Sequence, residues 1–236
     1  MAVTTVQDKR GSTYYLANGS KLSIQKELTS GYQLDKVNYS TFTLTLKTGV
    51  TSEFPLGSVI KVENANADLN GYWVINQVAN GGKELVVANT KQRDEFTREN
   101  ATEDRFTKAT VKFVVFTDTH DSLKEFSTPD ITYETVDVTA TVDASPQTVQ
   151  GQVTFGEITL TGYNAPDKEQ NIALERARRA KEPFVLRHAV GDIVEYYVGK
   201  VTKKAGTKVG NDASVLDLEY TIAVDDADII LTNTRV

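Results

Sequence analysis

The sequence predicts a mainly β fold, with barrel- or sandwich-forming sheets, one α-helix and a small additional β module. Many short stretches alternate apolar and polar residues, and turns rich in Asn, Asp and Gly separate them. Only residues 166–183 have the features of a long helix. This order of strands, one helix and more strands excludes alternating βαβ units. The chain of 236 residues can hold one large β domain or two smaller ones.

The N-terminal region predicts a β-hairpin. Residues 12–28, STYYLANGSKLSIQKEL, place strand-forming residues on both sides of Asn18-Gly19. Asn-Gly between two such stretches is a strong signal for a two-residue hairpin turn. We therefore assign residues 1–36 to an N-terminal arm and hairpin.

Residues 37–119 predict a small antiparallel β module. In the stretch STFTLTLKTG, Phe42, Leu44 and Leu46 alternate with threonines, as in a half-buried strand. Trp73, the only tryptophan, is the expected core anchor, and an exposed ligand-binding tryptophan is the alternative. The further strands are predicted at residues 57–64, 71–78, 83–90 and 109–118.

A long hairpin is predicted in the second half of the chain. Residues 129–146 contain an alternating strand, and residues 151–164 are its antiparallel partner after a turn at Ser145-Pro146. The first strand has one apolar face and one polar face, and the polar face must contact water or another wet surface. Gly156 predicts a bulge or a close backbone approach. The apolar face holds Val136, Val138, Ala140 and Val142, and the polar face holds Tyr133, Thr135, Asp137, Thr139 and Thr141.

The one predicted helix spans residues 167–182. Asp167 and Gln170 fit a capping box at its start, and Pro183 ends it. A narrow stripe of mostly small apolar residues is expected to pack on a sheet. This stripe consists of Ile172, Ala173, Ala177 and Ala180.

The basic cluster RARRAK near the end of this helix is explained first by helix electrostatics. The acidic residues lie toward the first turn and the basic ones toward the last, as the helix dipole favours. Glu175 can also pair with Arg179 four positions later. A salt-bridged subunit interface that uses Arg176 and Arg179 is the next interpretation, and a nucleic-acid site is the weakest.

Four lysines gather without an acidic neighbour between positions 200 and 208. Residues 203–212, KKAGTKVGND, predict a flexible loop between the last two strands. A solvated loop is the simplest interpretation, and the alternative is a mobile loop that contacts the acidic surface of a neighbouring copy. The lysines are Lys200, Lys203, Lys204 and Lys208.

Charge and composition restrict the classes of function. The net charge is −6, but residues 1–120 hold 14 basic and 13 acidic side chains (+1), whereas residues 121–236 hold 12 and 19 (−7). An acidic half repels a phosphate backbone rather than binding it. The apolar fraction of 39% is slightly low for a compact globule, which indicates a thin fold or a surface covered by other subunits.

The sequence predicts no catalytic chemistry. It has no cysteine and lacks the common nucleophile, phosphate-loop and zinc-peptidase motifs. His120, in DTHD, is interpreted as a surface-turn residue rather than a metal ligand, and His188, in VLRH, as a structural histidine. We therefore expect a protein that is not an enzyme and uses no metal or cofactor. The polar residues after Met1 predict neither a secretory signal nor a transmembrane helix.

The layout of residues 120–236 combines the hairpin DITYETVDVTATVD…GQVTFGEITLTGYN, the helix DKEQNIALERARRAK and the strands VEYYVGKVTKKAG and VLDLEYTIAVDD. This layout resembles the phage tail tube proteins, a superfamily that includes the tubes of type VI secretion systems. The resemblance makes residues 120–236 a β-sandwich core, to which residues 1–36 would belong. The segment FPLGSVIKVENANADLNGYWVINQV is similar to small β modules of phage virion proteins, so residues 37–119 would be an outer insertion or an enlarged core.

The resemblance implies a structural virion protein that forms stacked, hexameric rings. The rings would enclose a tape measure protein, end at tail terminator and tip proteins, and later let genomic DNA pass without specific binding. Assembly would take place in the bacterial host cytoplasm, with no membrane partner. The polar hairpin face would line an acidic lumen, with Tyr133, Asp137, Thr139 and Thr141 as its residues. The inter-ring or inter-subunit contacts would include the N-terminal arm, Lys200, Lys203, Lys204, Lys208, Arg176 and Arg179.

Other functions remain open from the sequence alone. A phage decoration or receptor-binding module would expose aromatic clusters, at Tyr72 and Trp73 or at Tyr196 and Tyr197. A secretion-system tube would share the ring architecture, and a tail-completion or neck protein is a close relative of the tube interpretation.

Overall fold

The structure is a computed structural model of the chain and is mainly β with one α-helix, which confirms the predicted fold class. It describes residues 5–7, 13–15, 20–39, 41–50, 57–66, 69–88, 106, 108–119, 123–138, 148–190, 193–206 and 217–225. His120, Ser145-Pro146, Thr139, Thr141 and Lys208, which the sequence analysis singled out, lie outside these residues.

The described residues form strands β1 to β16, one helix, α1, and a short 3-10 turn at Asn80–Gly82. The helix spans Glu169–Ala180. The first eight strands are β1 Thr5–Gln7, β2 Thr13–Tyr15, β3 Lys21–Leu28, β4 Tyr32–Asn38, β5 Thr43–Leu46, β6 Val59–Glu63, β7 Gly71–Ala79 and β8 Glu84–Ala88. The others are β9 Thr110–Asp118, β10 Leu123–Phe126, β11 Ile131–Asp137, β12 Thr148–Phe155, β13 Glu157–Tyr163, β14 Phe184–Val190, β15 Ile193–Gly206 and β16 Asp217–Val224.

Twelve of these strands form one antiparallel sheet in the order β10-β13-β16-β15-β14-β3-β9-β4-β5-β8-β7-β6. An additional pairing joins β6 back to β9, where Ile60 faces Phe113 and Val62 faces Val111. The strands β4, β5, β8, β7, β6 and β9 therefore close into a six-stranded barrel. The rest of the sheet is open, and β9 belongs to both parts.

The barrel interior is filled by apolar side chains, as expected for a small closed barrel. Trp73 lies in this core with 1% of its surface exposed, and its Nε1 donates a hydrogen bond to the Leu69 carbonyl at 2.9 Å. The prediction that Trp73 anchors the core is confirmed. The first barrel strand begins at Tyr32, inside the stretch that the sequence assigned to the N-terminal arm. The largest fully buried partners are Leu34, Leu44, Leu46, Ile60, Leu69, Ile75, Leu85, Phe106 and Phe113.

The outside of the barrel packs against one face of the open sheet. Val59, Tyr72 and Val74 form an apolar cluster with Val185 and Val198 of the β14–β15 pair. Two tyrosine hydroxyls complete the contact: Tyr72 donates to the Pro183 carbonyl at 2.9 Å, and Tyr196 donates to the Gly57 carbonyl at 2.6 Å. Apolar burial combined with satisfied hydroxyls attaches the barrel firmly to the sheet.

Helix α1 covers the opposite face of the open sheet, but not with the predicted stripe. Ala173 and Leu174 are buried against residues of the sheet, whereas Ile172 is 45% exposed and Ala180 is also exposed. The predicted stripe was therefore wrong at Ile172 and Ala180. Ile172 and Leu174 lie about 200° apart around the helix, so only one of them can face the sheet, and Leu174 does so beside Ala173.

The start of α1 also differs from the prediction. The residue before the helix is Lys168, no side chain caps the first turn, and the capping box of Asp167 and Gln170 is absent. Asn171 instead holds the turn before the helix, because its Nδ2 donates to the carbonyls of Tyr163 at 3.3 Å and Ala165 at 2.7 Å. These bonds fix the path of the chain into the helix from the preceding turn.

Two other predictions near the ends of strands were wrong. β2 pairs with β1, not with β3, because both edges of β3 are occupied by β14 and β9. The predicted turn residues Asn18-Gly19 lie outside the described residues, but the strands on either side of them pair with other strands and not with each other. Residues 203–206 belong to β15 instead of a flexible loop, because they pair with β16 from Lys203 to Gly206.

We predict that Gly199→Ala destabilises the protein by about 1–3 kcal/mol, the usual effect of overpacking. A Cβ at Gly199 would lie 2.5 Å from the Ala223 carbonyl oxygen and 2.8 Å from Ile222 Cγ2. Urea unfolding measures the free-energy difference. Gly206→Ala, on the same strand, is the matched control, since nothing lies within 4 Å of its added Cβ. Equal losses for the two variants would contradict the close approach.

Candidate assembly surfaces

The β11–β12 hairpin is a two-stranded sheet of its own. Its pairs run from Ile131 opposite Phe155 to Asp137 opposite Thr148. Within the part of the chain that the structure describes, neither strand pairs with any other, so both outer edges of the hairpin are unpaired. Such edges carry rows of backbone N–H and C=O groups that can pair with another chain.

The base of this hairpin is fixed to the large sheet at Gly156. The Gly156 N–H donates to the Asp130 carbonyl at 2.7 Å, and a Cβ on Gly156 would lie 3.1 Å from the Asp130 nitrogen. The predicted close backbone approach is thus confirmed. Directly after Gly156 the chain continues as β13, which pairs with β10 and β16 of the large sheet. The hairpin therefore extends from a firm base.

Apart from Phe155 at the base, which packs against the core, the described side chains of the hairpin are exposed on both of its faces. Thr132 and Glu134 alternate with Thr135, and all three are exposed. Val138, on the predicted apolar face, is 48% exposed. In the protomer, this face therefore leaves Val138 uncovered by the described residues. The hairpin offers both open edges and an uncovered valine for contact with another molecule.

The predicted lumen residues can be located only in part. Tyr133 and Asp137 lie on β11, opposite Val153 and Thr148 of β12. Between the pairs Tyr133–Val153 and Thr135–Gln150, β12 advances one residue more than β11, so the ladder contains a bulge. The assignment of Tyr133, Asp137, Thr139 and Thr141 to a lumen stays a prediction.

A second surface is an open groove beside α1, which we call the α1 groove. Its volume is about 680 Å³, and it lies between the solvent side of the helix, the start of β16 and the turn before the helix. Three basic residues of the predicted contact set, Arg176, Arg179 and Lys204, are brought together here. The full lining consists of Asn164, Pro166, Asn171, Ile172, Glu175, Arg176, Arg179, Ala180, Lys204, Leu218 and Tyr220.

Glu175 is the electrostatic centre of the α1 groove. It forms an ion pair with Lys204, accepts a hydrogen bond from the Tyr220 hydroxyl at 2.9 Å and pairs with Arg178 Nη2 at 3.0 Å. Burial alone would raise the pKa of Glu175, but the hydrogen bonds from Lys204, Tyr220 and Arg178 outweigh it and lower the pKa to about 2. Burial and the Glu175 carboxylate raise the pKa of Tyr220. This network joins the helix to β15 and β16.

Arg176 and the two described lysines of the predicted set outside the groove also have partners within the chain. Arg176 Nη1 donates to the Lys26 carbonyl at 2.9 Å. Lys200 lies 3.4 Å from Asp225, and Lys203 lies 3.7 Å from Glu219. The sequence shows no acid among these lysines because their partners come from other strands and from the helix. The proposed intermolecular contacts of these residues stay predictions.

Sequence reasoning missed a buried polar cluster on the β14–β15 pair. His188, which is buried, places its Nδ1 3.2 Å from Glu195 Oε2, and the Tyr197 hydroxyl donates to the same oxygen at 2.5 Å. Phe126 contacts the His188 ring edge-on, with 4.6 Å between centroids. The signal in the sequence is the short VLRH…VEYY hairpin, which places His188 opposite Glu195. The arrangement agrees with a structural histidine.

We predict that Glu175 stabilises the protein above pH 4.5 and loses this effect as the pH falls toward 2. Its folded pKa of about 2 lies below the ordinary value of 4.5, so the unfolded chain takes up the proton first. In denaturant unfolding, Glu175→Gln should cost on the order of 1–2 kcal/mol at pH 7 and progressively less between pH 4.5 and 2. Glu157→Gln, at an exposed glutamate, is the control. A cost of Glu175→Gln that is independent of pH would contradict the ion network.

Comparison with known proteins gives no matching family model and no matching curated sequence. Among the described residues, no helix has both the length and the hydrophobicity needed to cross a membrane. The functional argument therefore depends on the surfaces themselves, above all on the hairpin with two unpaired edges and on the charged groove beside α1.

Proposed function

We propose that this protein is a tail tube subunit that assembles into stacked hexameric rings, which form a hollow conduit for DNA delivery in a phage tail. The observation that carries the proposal is the β11–β12 hairpin, a two-stranded sheet whose two edges are unpaired among the described residues. Its other partners would be a tape measure protein and the terminator and tip proteins. The protein would be assembled in the host cytoplasm and reside in the virion.

The hairpin supports a ring because an isolated two-stranded sheet is marginally stable in water. Three or more strands, or a packing partner, are needed for independent stability. Pairing each hairpin with that of a neighbouring subunit would supply further strands on both sides. A closed ring would leave no edge unpaired, which an open chain of subunits cannot achieve. The exposed Val138 would then gain an apolar partner in the adjacent hairpin.

The charge of the hairpin region supports passage of nucleic acid rather than binding. Asp130 and Glu134 are exposed, and the half of the chain from residue 121 onward has a net charge of −7, from 12 basic and 19 acidic residues. A ring would repeat this negative charge around a central channel. Phosphate groups would be repelled from such a wall, so DNA would pass through without adhering to it.

The structure lacks, among the described residues, the exposed aromatic clusters that a decoration or receptor-binding module would need at the predicted positions. That hypothesis expects exposed aromatic clusters at Tyr72 and Trp73 or at Tyr196 and Tyr197. All four side chains are buried, and Tyr72, Tyr196 and Tyr197 use their hydroxyls for contacts within the chain. The expectation of exposed aromatics was therefore wrong, and no described feature favours this second function.

The first test replaces the hairpin without disturbing its base. In the variant, residues 132–154 are replaced by Asn-Gly, so that Ile131 and Phe155 are joined by a two-residue turn. We expect wild-type protein to form hollow rings or tubes in negative-stain electron microscopy. The variant should remain a folded monomer, because it keeps Phe155, which packs on the core, and among the described residues no strand of the large sheet or barrel pairs with residues 132–154. Light scattering measures the mass, and circular dichroism with thermal unfolding checks the fold.

Two outcomes would contradict the proposal. One is a wild-type protein that stays monomeric at high concentration, which would remove the ring altogether. The other is a hairpin-less variant that still forms rings, which would show that the hairpin edges are not the assembly surface. Gly206→Ala, at an open site on β15, controls for handling and should assemble like wild type.

A second prediction concerns the lumen charge. Asp137→Lys should leave ring assembly intact but make the tubes retain double-stranded DNA, because each ring would gain a repeated positive charge. Retention should be measured by co-sedimentation of tubes with DNA and should fall as salt increases. Glu157→Lys, an exposed carboxylate on β13 outside the hairpin, is the matched charge control. Equal retention by the two variants would place Asp137 away from the DNA path.

A further inference from the structure

The α1 groove combines an exposed aliphatic side chain with an excess of positive charge. Ile172 is 45% exposed on a helix whose outer side is otherwise mainly polar. The lining contains Arg176, Arg179 and Lys204 but a single acid, Glu175, which gives a net charge of +2 from three basic groups and one acidic group. This is unusual on a chain with a net charge of −6. A ligand for the groove would therefore carry aliphatic and acidic groups side by side.

Arg179 is the lining residue best placed to bind such a ligand. Its side chain is 78% exposed, and its Nε lies 3.9 Å from Glu175 Oε2, at the outer limit of an ion pair. Lys204, Tyr220 and Arg178 already contact that carboxylate more closely. The charge of Arg179 is thus largely uncompensated within the groove, whereas Arg176 also holds the Lys26 carbonyl.

We propose that the α1 groove binds residues 226–236 of a neighbouring copy of this chain. The sequence of that segment, DADIILTNTRV, begins with Asp226 and Asp228 and continues with three aliphatic residues, Ile229, Ile230 and Leu231. The two carboxylates match the basic lining, and the aliphatic residues match Ile172. The identity of the partner rests on the proposed ring assembly, since the contact would link one subunit to the next.

The geometry favours a neighbouring copy over the same chain. Asp225 is held by a hydrogen bond from its N–H to the Val198 carbonyl at 2.9 Å and by the ion pair with Lys200. Tyr220, in the groove, lies five residues back along β16, which is about 17 Å at 3.3 Å per residue. Asp228, the farther of the two carboxylates, lies three residues beyond Asp225, so a fully extended chain carries it only about 11 Å and it cannot reach the basic residues of its own groove.

Residues 226–236 also cannot run back toward their own groove by pairing alongside β16. Both edges of β16 are paired, with β13 on one side and β15 on the other. The residues of β16 that face the helix, among them Leu218, Tyr220 and Ile222, are already buried in the core. A segment from the same chain would have to pass around these elements, which lengthens its path further. The segment of another copy has no such restriction.

Cross-linking between two single-cysteine variants tests the proposal directly, because the chain has no cysteine of its own. Ile172→Cys and Ile230→Cys chains are mixed and exposed to a mild thiol oxidant, which removes two electrons and two protons as the disulfide forms. We expect a disulfide-linked pair of chains in non-reducing gels and by mass spectrometry. Val78→Cys, at an exposed valine on the barrel, replaces Ile172→Cys as the matched control and should give about tenfold less product.

Charge exchange separates the groove contact from chance collisions. Arg179→Glu, added to the Ile172→Cys chain, should lower the yield roughly fivefold, since an attraction becomes a repulsion. Asp226→Lys with Asp228→Lys, added to the Ile230→Cys chain, should restore it. The proposal would be overturned if neither charge change altered the yield, or if the yield equalled that of the Val78→Cys control. A third variant carries both Ile172→Cys and Ile230→Cys, and a disulfide that formed only within this one chain would also overturn the proposal.

Electron microscopy of the same samples distinguishes this proposal from the ring assembly on which it rests. Rings or tubes without the cross-link would contradict the groove contact but not the proposed function. A cross-link between chains that form no rings would support the groove contact and contradict the proposed tube. Circular dichroism of each variant checks that the fold is intact, and Ile172 and Arg179 are exposed positions where substitution should disturb it little.

Discussion

Pairing along β9 is the constraint on which the rest of the structure depends. β3 and β4 lie one after the other along one edge of this strand, and β6 lies along part of the other edge. Where β3 gives way to β4, Thr29 keeps the ladder satisfied: its N–H donates to the Phe113 carbonyl at 2.9 Å, and its Oγ1 accepts from the Phe113 N–H at 3.0 Å. One strand thus serves as a wall of the barrel and as a member of the open sheet.

This arrangement determines which surfaces are available for assembly. The barrel covers one face of the open sheet at β9, β14 and β15, and α1 covers the other face, so these areas are already used for contacts within the chain. The hairpin and the outer side of the helix lie beyond these covered faces. In the proposed tube, the hairpin would contribute the inner wall, and the helix would face neighbouring subunits. The barrel would then be an integral part of the subunit.

The features that the sequence predicted correctly are those that depend on local chemistry. Alternation identified most of the strands, the single tryptophan marked the barrel core, and Gly156 marked a close backbone contact. The errors have a common cause in tertiary packing. Helix α1 turns Leu174 rather than Ile172 toward the sheet. No side chain caps its first turn, and Asn171 holds the preceding turn instead. The ladder with β16 extends β15 through the lysines. The acidic partners of those lysines are distant in sequence, so no local pattern could reveal the α1 groove.

Because β9 belongs to both the barrel and the open sheet, its pairing also bears on the order of folding. Thr29 and Phe113 are separated by 84 positions, and joining such distant residues directly costs substantial chain entropy. If the barrel forms first, however, Tyr32 already lies opposite Val111. The β3–β9 ladder can then form from that end, one residue pair after another. The barrel would act as the folding nucleus, and the open sheet, which receives strands from both ends of the chain, would be completed last.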